Sequence, residues 1–440
     1  MPEIQSVDRI IHPRWLVTDS HARRLLEHHS LVVAQGRIVD VCPSTVARQF
    51  YRAPWVHELP HHLVVPGLIN LRTQAATVLF RGLFDDPSET RLDAQRRQTL
   101  ERALVSEDMV RVGVELAMAE LLRGGQTCFA DNYLFPDRVG DAALAAGLRC
   151  HLNVPITMQE TAWSRHGEDA LRRGLNTLDR FKGNRHISTG FGIDPPQTLT
   201  DSLLHKVATL AAELGAPVQM PVQCTASERA ESLQRFGQTS LERLDQAGLL
   251  TPEFQAVHVT HLTEADYALL IARGVHVIHC PISEAKRHSG LAHSQRLLDA
   301  GLNVALGTGC VADHNSLSLL EEAKFASLVG KLAATDSRAL SAWTCLEMMT
   351  YYPAQILGRA DLGHLNPGAE ADLAAFALNQ ISTTPVHHPI SQLLYANHGL
   401  SASEVWVGGE LVLRHGRLVH IDEDAAIEAA NTWMRQHVAC

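Results

Sequence analysis

Between Leu63 and Gly358 the chain alternates two patterns of apolar and polar positions. Short runs in which nearly every residue is apolar or β-branched are followed by longer stretches with apolar residues three and four apart. The runs are LVVPGLINL, QTCFADNY, RCHLNVPI, ISTGFGID, PVQMPVQC, FQAVHVTHL, VHVIHCPIS and NVALGTGC. Continuous apolar runs predict strands buried on both faces, as in parallel sheets, and the intervening stretches predict amphipathic helices. SEDMVRVGVELAMAELLRGG and TEADYALLIARG are the clearest of these helices. The second opens on Thr263 as N-cap, with Asp266 three residues on, and closes at Gly274, which is the layout of a capped helix. Eight consecutive strand–helix units favour an α/β fold closed into a (β/α)8 TIM-type barrel, here residues 63–362, over an open doubly wound sheet.

The two ends read differently. SLVVAQGRIVDVCP (30–43) and SEVWVGGELVLRHGRLV (403–419) place glycine turns between β-rich arms, and ADLAAFAL (371–378) is a further strand. They predict hairpins, and together a small β-sandwich domain made of residues 1–62 plus 363–440 with a C-terminal helix.

Composition narrows the function classes. The 440 residues are 45% hydrophobic and 20% charged with a formal net charge of −10, and no run of Lys or Arg marks a nucleic-acid or anionic-membrane partner. No stretch is apolar for long enough to span a bilayer, and MPEIQSVDRIIHPRW lacks a signal-peptide layout. The eight cysteines form no CxxC pair, so neither a disulfide framework nor a zinc ribbon is indicated and a cytoplasmic location is expected.

In such a barrel, chemistry sits at the C-terminal ends of the strands. In chain order those ends carry Arg72 and Gln74, then Asp194, then Pro221, Gln223 and Cys224, then His258 and His261, His279 and Glu284, and finally Gly309, Cys310, Asp313 and His314. With LVVPGLIN, LFRGL, GGQTCFADNY, FQAVHVTHL, VIHCPIS, GLNVALGT and LGHLNPGAEADLAAF in order, the chain resembles the amidohydrolase superfamily. It resembles specifically the branch holding methylthioadenosine/S-adenosylhomocysteine deaminases and triazine-type (TRZ/ATZ) chlorohydrolases. The resemblance implies a barrel flanked by a terminal β-sandwich, a nucleoside-like or N-heterocyclic small-molecule ligand, and a homo-oligomer, dimer or tetramer. It also implies one divalent metal, held by an HxH pair, two further His and an Asp, with a Glu that shuttles protons.

Here the HxH pair falls on Arg72 and Gln74, the strand-five His on Pro221, the Glu on Cys224 and the Asp on Gly309. Only the strand-six His, His258, persists, together with His279 of VIHCP. Arg149, in GLRC, matches an arginine placed near substrate in the family, and Glu284 stands in a substrate-contacting block. The charged FDDPSETRLDAQRRQTLER replaces an apolar loop. A guanidinium stays protonated and cannot ligate, and Pro and Gly side chains carry no donor. The reading is therefore a divergent family protein with no metal, no cofactor and no deaminase activity, a pseudoenzyme or ligand-binding subunit. The alternative is a metal-independent hydrolase using His258, His279, Asp194 or Cys224 in the same pocket, and a third reading rebuilds a metal site from Cys224, His258, His279 and Cys310. Arg72 and Gln74 with Pro221, His258 and Gly309 would line that pocket, and Arg149 and Glu284 would touch its ligand. Arg72 is expected to take the metal's electrostatic place by pairing with Asp194 or Glu284. For Cys224 a small buried hydrophobe is the plainer reading. His12, His57, His61, His62, His387 and His388 are expected on the surface.

Overall fold

The structure is a computed structural model that describes residues 4–85 and 94–438. Much of the charged stretch after LFRGL lies outside the described residues. All eight predicted units form. Their strands are β1 (Leu68–Gln74), β2 (Gln126–Asp131), β3 (Arg149–Ile156), β4 (Ile187–Ile193), β5 (Val218–Val222), β6 (Phe254–His258), β7 (His276–His279) and β8, which comes in two pieces (Val304–Leu306 and Gly309–Cys310). Each pairs in parallel with the next; the first piece of β8 pairs with β7 and the second with β1, Gly309 opposite Thr73. The break at Gly307–Thr308 thus closes the sheet into a (β/α)8 barrel.

LVVPGLINL is not one strand. It divides at Pro66–Gly67: the strand Trp55–Pro66 lies in the terminal sheet, Val65 opposite Ala374, and β1 starts at Leu68. Proline has no N–H to extend a ladder. At Gly67 a Cβ would lie 2.0 Å from Thr127 Oγ1, so the chain crosses from one sheet to the other at a point only glycine fits.

The terminal domain is built from both chain ends around one nine-stranded sheet. Arg9–Asp19, His29–Ala34, Arg37–Pro43 and Trp55–Pro66 come from the first end, and Leu373–Ala377, Glu404–Val407 and Glu410–Arg414 from the second. Ile11, Leu16, Leu31, Val64, Leu373 and Trp406 form its core. The predicted hairpins are present; Gln35 and Gly36 both take positive φ between their strands, the turn that matches strand twist. The capped helix is Glu264–Arg273, with a complete Thr263/Asp266 capping box and Gly274 left-handed at its end. Of the histidines expected on the surface, His61, His387 and His388 are exposed. His12 instead is buried against Ser30. His57 and His62 are half-buried, and burial pushes both down to about 4.

Arg149 fastens the two domains together. It opens β3, at the end of the barrel opposite the C-terminal strand ends, so it is not the ligand-contacting residue that the resemblance implies. Its Nε donates to Asp372 Oδ2 at 2.7 Å, and its Nη2 to Asp372 Oδ1 at 3.0 Å and Glu370 Oε2 at 2.9 Å. All three side chains are buried, and the two carboxylates lie in the short segment that leads into the strand Leu373–Ala377 of the terminal sheet. Removing one partner of a buried pair strands the other charge, at about 3–5 kcal/mol. Arg149→Met should therefore lower unfolding free energy by about 3 kcal/mol or more in denaturant titration. Arg111→Ala, which breaks an exposed helical pair with Asp108, should change it by about 0.5 kcal/mol at most.

Candidate active site

At the C-terminal ends of the barrel strands lies a cavity of about 390 Å³ lined by Arg72, Gln74, Asn132, Thr157, Asp194 and Pro221 among others. Four sequence candidates therefore meet in one pocket: Arg72, Gln74, Pro221 and Asp194. Arg72 reaches it because side chains alternate along β1: Arg72 points into the barrel while Thr73 points out, where its hydroxyl donates to Asp131 at 2.9 Å. Two glycines make the room. At Gly307 a Cβ would sit 2.4 Å from Arg72 Cβ, and at Gly192 one would sit 2.1 Å from Asn132 Oδ1.

The partners of Arg72 are not those expected. It makes no ion pair with Asp194 or Glu284. Its Nη1 donates to Gln219 Oε1 at 2.8 Å. Asn132, in the amide orientation that satisfies both its oxygen and its nitrogen, accepts from Nη2 at 3.2 Å and from Nη1. Gln219 in turn donates to Leu71 O and to Gln255 Oε1, both at 3.0 Å. Deeper in the barrel Asn70 bridges Gln126 and Thr308, each at 3.0 Å. The barrel interior is thus a lattice of neutral amides around one cation. Gln219 and Asn132 went unnoticed in sequence, although Gln219 stands two residues before Pro221 on the same strand face.

Asp194 follows β4 and lies at the pocket wall. Burial raises its pKa above the usual carboxylate value, against the Thr157 hydrogen bond and the charge of Arg72.

The remaining candidates gather elsewhere. Glu284, in the short helix Pro281–Lys286, is fully buried and touches His258 Nδ1 and His279 Nε2, both at 3.2 Å. It also accepts from the backbone of Cys280 at 3.1 Å. It is therefore the anchor of a His–Glu–His cluster and not a ligand contact. His279 completes that cluster through Ser294, 2.7 Å from its Nδ1. Gln223, His258 and Val259 have φ of 49°, 74° and 47°; left-handed backbone is costly for such residues and collects at functional sites. Cys224 is buried, and burial together with Glu228 raises its thiol pKa well above the ordinary range. Thiolate chemistry needs the opposite shift, so Cys224 is a packing residue.

The donor set does not fit the divalent metal that the resemblance implies. Arg72 is a cation, Gln74 offers a neutral amide, Pro221 has no donor, and His258 is engaged by Glu284. Gly309, where the resemblance implies an aspartate, has no side-chain donor. Among the described residues no group of three or more His, Cys, Asp or Glu is placed to hold a metal ion, so Cys224, His258, His279 and Cys310 do not form the rebuilt site.

Residues 63–412 match the model of the amidohydrolase family. Over 98% of both chains the sequence is 37% identical to a 5-methylthioadenosine/S-adenosylhomocysteine deaminase of Teredinibacter turnerae. A crystal structure of an adenosine deaminase from Xanthomonas campestris with bound zinc superposes with a TM-score of 0.96 at 33% identity over 100% of both chains. A triazine hydrolase variant superposes with a TM-score of 0.88 at 22% identity, covering 97% of this chain and 99% of its own, a likeness of fold. These findings overturn the expectation of a chain without deaminase activity: proteins alike from end to end carry deaminase names.

The cluster at Glu284 generates a pH prediction. Burial alone would raise this carboxyl, but His279 and the hydrogen bonds of both histidines outweigh it and hold it at about 2, below its ordinary 4.5. A depressed carboxyl contributes stability that is present above its unfolded pKa and lost as pH falls toward the folded one. The stability difference between the wild type and Glu284→Gln should shrink as pH is lowered from 5 to 3, read by denaturant titration at each pH.

Proposed function

Because the chain belongs to the amidohydrolase family, we propose that it deaminates an adenosine-type nucleoside in the barrel-mouth pocket. The observation that carries this is likeness over the whole chain to proteins named as nucleoside deaminases. The 390 Å³ cavity supports it, since pockets of about 300–1,000 Å³ take ligands of this size. No helix of the described residues is long and apolar enough to cross a membrane. The seven cysteines of the described residues are all free, which favours a reducing cytoplasm.

In the proposed reaction water adds to the amino-bearing ring carbon. A C–O bond forms, the C–N bond breaks, and ammonia leaves. Asp194 takes the proton from water and returns it to the departing nitrogen, which a carboxyl with a raised pKa does better than an ordinary one. Arg72 places a fixed positive charge where negative charge develops on the ring. Gln74 and Thr157 supply neutral polar contacts at the same wall. Among the described residues the strand ends hold no donor set for a metal.

The test is ammonia release from methylthioadenosine, S-adenosylhomocysteine and adenosine by protein with and without chelator treatment. Turnover of at least one, insensitive to chelator, is expected. Absence of release from all three sinks the proposal, and loss of release on chelation sinks its metal-free form. Asp194→Asn should reduce kcat by about 100-fold or more. In the wild type the acid limb of kcat/KM should lie above the ordinary aspartate value, because the base works only when ionised.

A further inference from the structure

Gln219 stands on β5, four strands from β1 whichever way the barrel is followed, yet it grips β1 at two points. Its Nε2 donates to the Leu71 carbonyl at 3.0 Å, and its Oε1 accepts from Arg72 Nη1 at 2.8 Å. The spot it grips is irregular. Between β1 and β2, Asn70 lies opposite Phe129 and Thr73 opposite Asp131, so Leu71 and Arg72 together face the single residue Ala130. That is a β-bulge, which disrupts the ladder locally, bends its strand and is common beside active sites. A buried carbonyl at such a disruption needs a partner from elsewhere, and Gln219 supplies it across the barrel.

Gln219 is fully buried and does not line the cavity, whereas Asn132, the other partner of Arg72, does. Of the two, Gln219 alone holds the guanidinium from outside the cavity wall. Its own place is set by Gln255, directly opposite on β6, whose Oε1 takes a second bond from Nε2 at 3.0 Å. The task needs an amide, because one end must accept from Arg72 while the other donates to two oxygens. A carboxylate there would set an acceptor against the Leu71 carbonyl, and an alkyl side chain would release both grips.

We propose that Gln219 is a positioning residue: it fixes the direction of the Arg72 guanidinium toward the cavity without touching the ligand. The inference rests on the deamination reading and adds the residue that orients its charge. Stabilisation of developing charge depends on donors fixed before the reaction begins, and an arginine side chain has much rotamer freedom to lose. A strut from β5 to the bulge of β1 removes that freedom.

Two measurements on the full chain test this. In side-chain proton–nitrogen NMR spectra, the Arg72 signals are identified by their loss in Arg72→Lys. The wild type should show separate Nη1 and Nη2 resonances for Arg72, and in Gln219→Leu these should merge as rotation within the guanidinium is released. In steady-state kinetics with the best substrate among methylthioadenosine, S-adenosylhomocysteine and adenosine, Gln219→Leu should lower kcat about tenfold or more and leave KM within about threefold. A single averaged Nη signal in the wild type, or separate signals that survive Gln219→Leu, overturns the proposal whatever the activity. An unchanged kcat, or a raised KM at unchanged kcat, overturns it and leaves the deamination reading standing. Absence of turnover in the wild type overturns that reading, and the spectra then decide whether Gln219 fixes the fork. If Gln219→Leu does not fold, Gln255→Leu takes its place: loss of the anchor of Gln219 should merge the Arg72 signals, and signals that stay separate overturn the proposal.

Discussion

The mouth of this barrel is organised by a single problem, the solvation of the Arg72 guanidinium after it has been taken out of water. Transfer of an ion into a protein interior costs several kcal/mol even after relaxation. The surrounding sequence reads as a response to that cost. Gln219 and Asn132 accept from the fork, and Gln255 and the Leu71 carbonyl hold Gln219 in place. Gly192 and Gly307 omit the Cβ atoms that would collide with Asn132 and Arg72. Even the broken eighth strand belongs to this arrangement, since Gly307 lies at the break and Thr308 beside it holds Asn70.

Charge elsewhere is kept apart from this lattice. At the opposite end of the barrel Arg149 is neutralised by Asp372 and Glu370, and the pair joins the two domains. Between β6 and β7 Glu284 is shared by two histidines. These clusters close on themselves. The mouth pocket does not: Arg72 and Asp194 face it with opposite charge and no ion pair between them. There a cation and a buried carboxyl are each held by neutral partners, Arg72 by Gln219 and Asn132 and Asp194 by Thr157, with the cavity between the strand ends open beside them.

The fold was legible because it depends on periodicity and punctuation, both local. Eight apolar runs gave eight strands, and Thr263, Asp266 and Gly274 bounded their helix. The division of LVVPGLINL was legible too, since Pro66–Gly67 punctuates it, but matching the whole run to a single block hid it. Arg149 was misplaced for a similar reason: it is the first residue of RCHLNVPI, and chemistry in this fold belongs at the last. Glu284 could not be placed from sequence, because its contact with His258 depends on how the turn at Pro281 folds back over a neighbouring strand. The partners of Arg72 were also hidden. A charge suggests an opposite charge as its mate, and nothing local reveals that two amides on other strands will serve instead.

Family likeness and donor chemistry pull in different directions, and Arg72 is where they can be reconciled. What hydrolytic deamination requires at the strand ends is positive potential where the adding oxygen and the ring nitrogens gather negative charge, and a group that carries a proton between water and amine. A metal supplies the first by coordination and also acidifies its water. A guanidinium supplies only the first, through N–H groups fixed before reaction begins, so the second must fall wholly on a carboxyl. Burial has moved Asp194 in the direction that task needs.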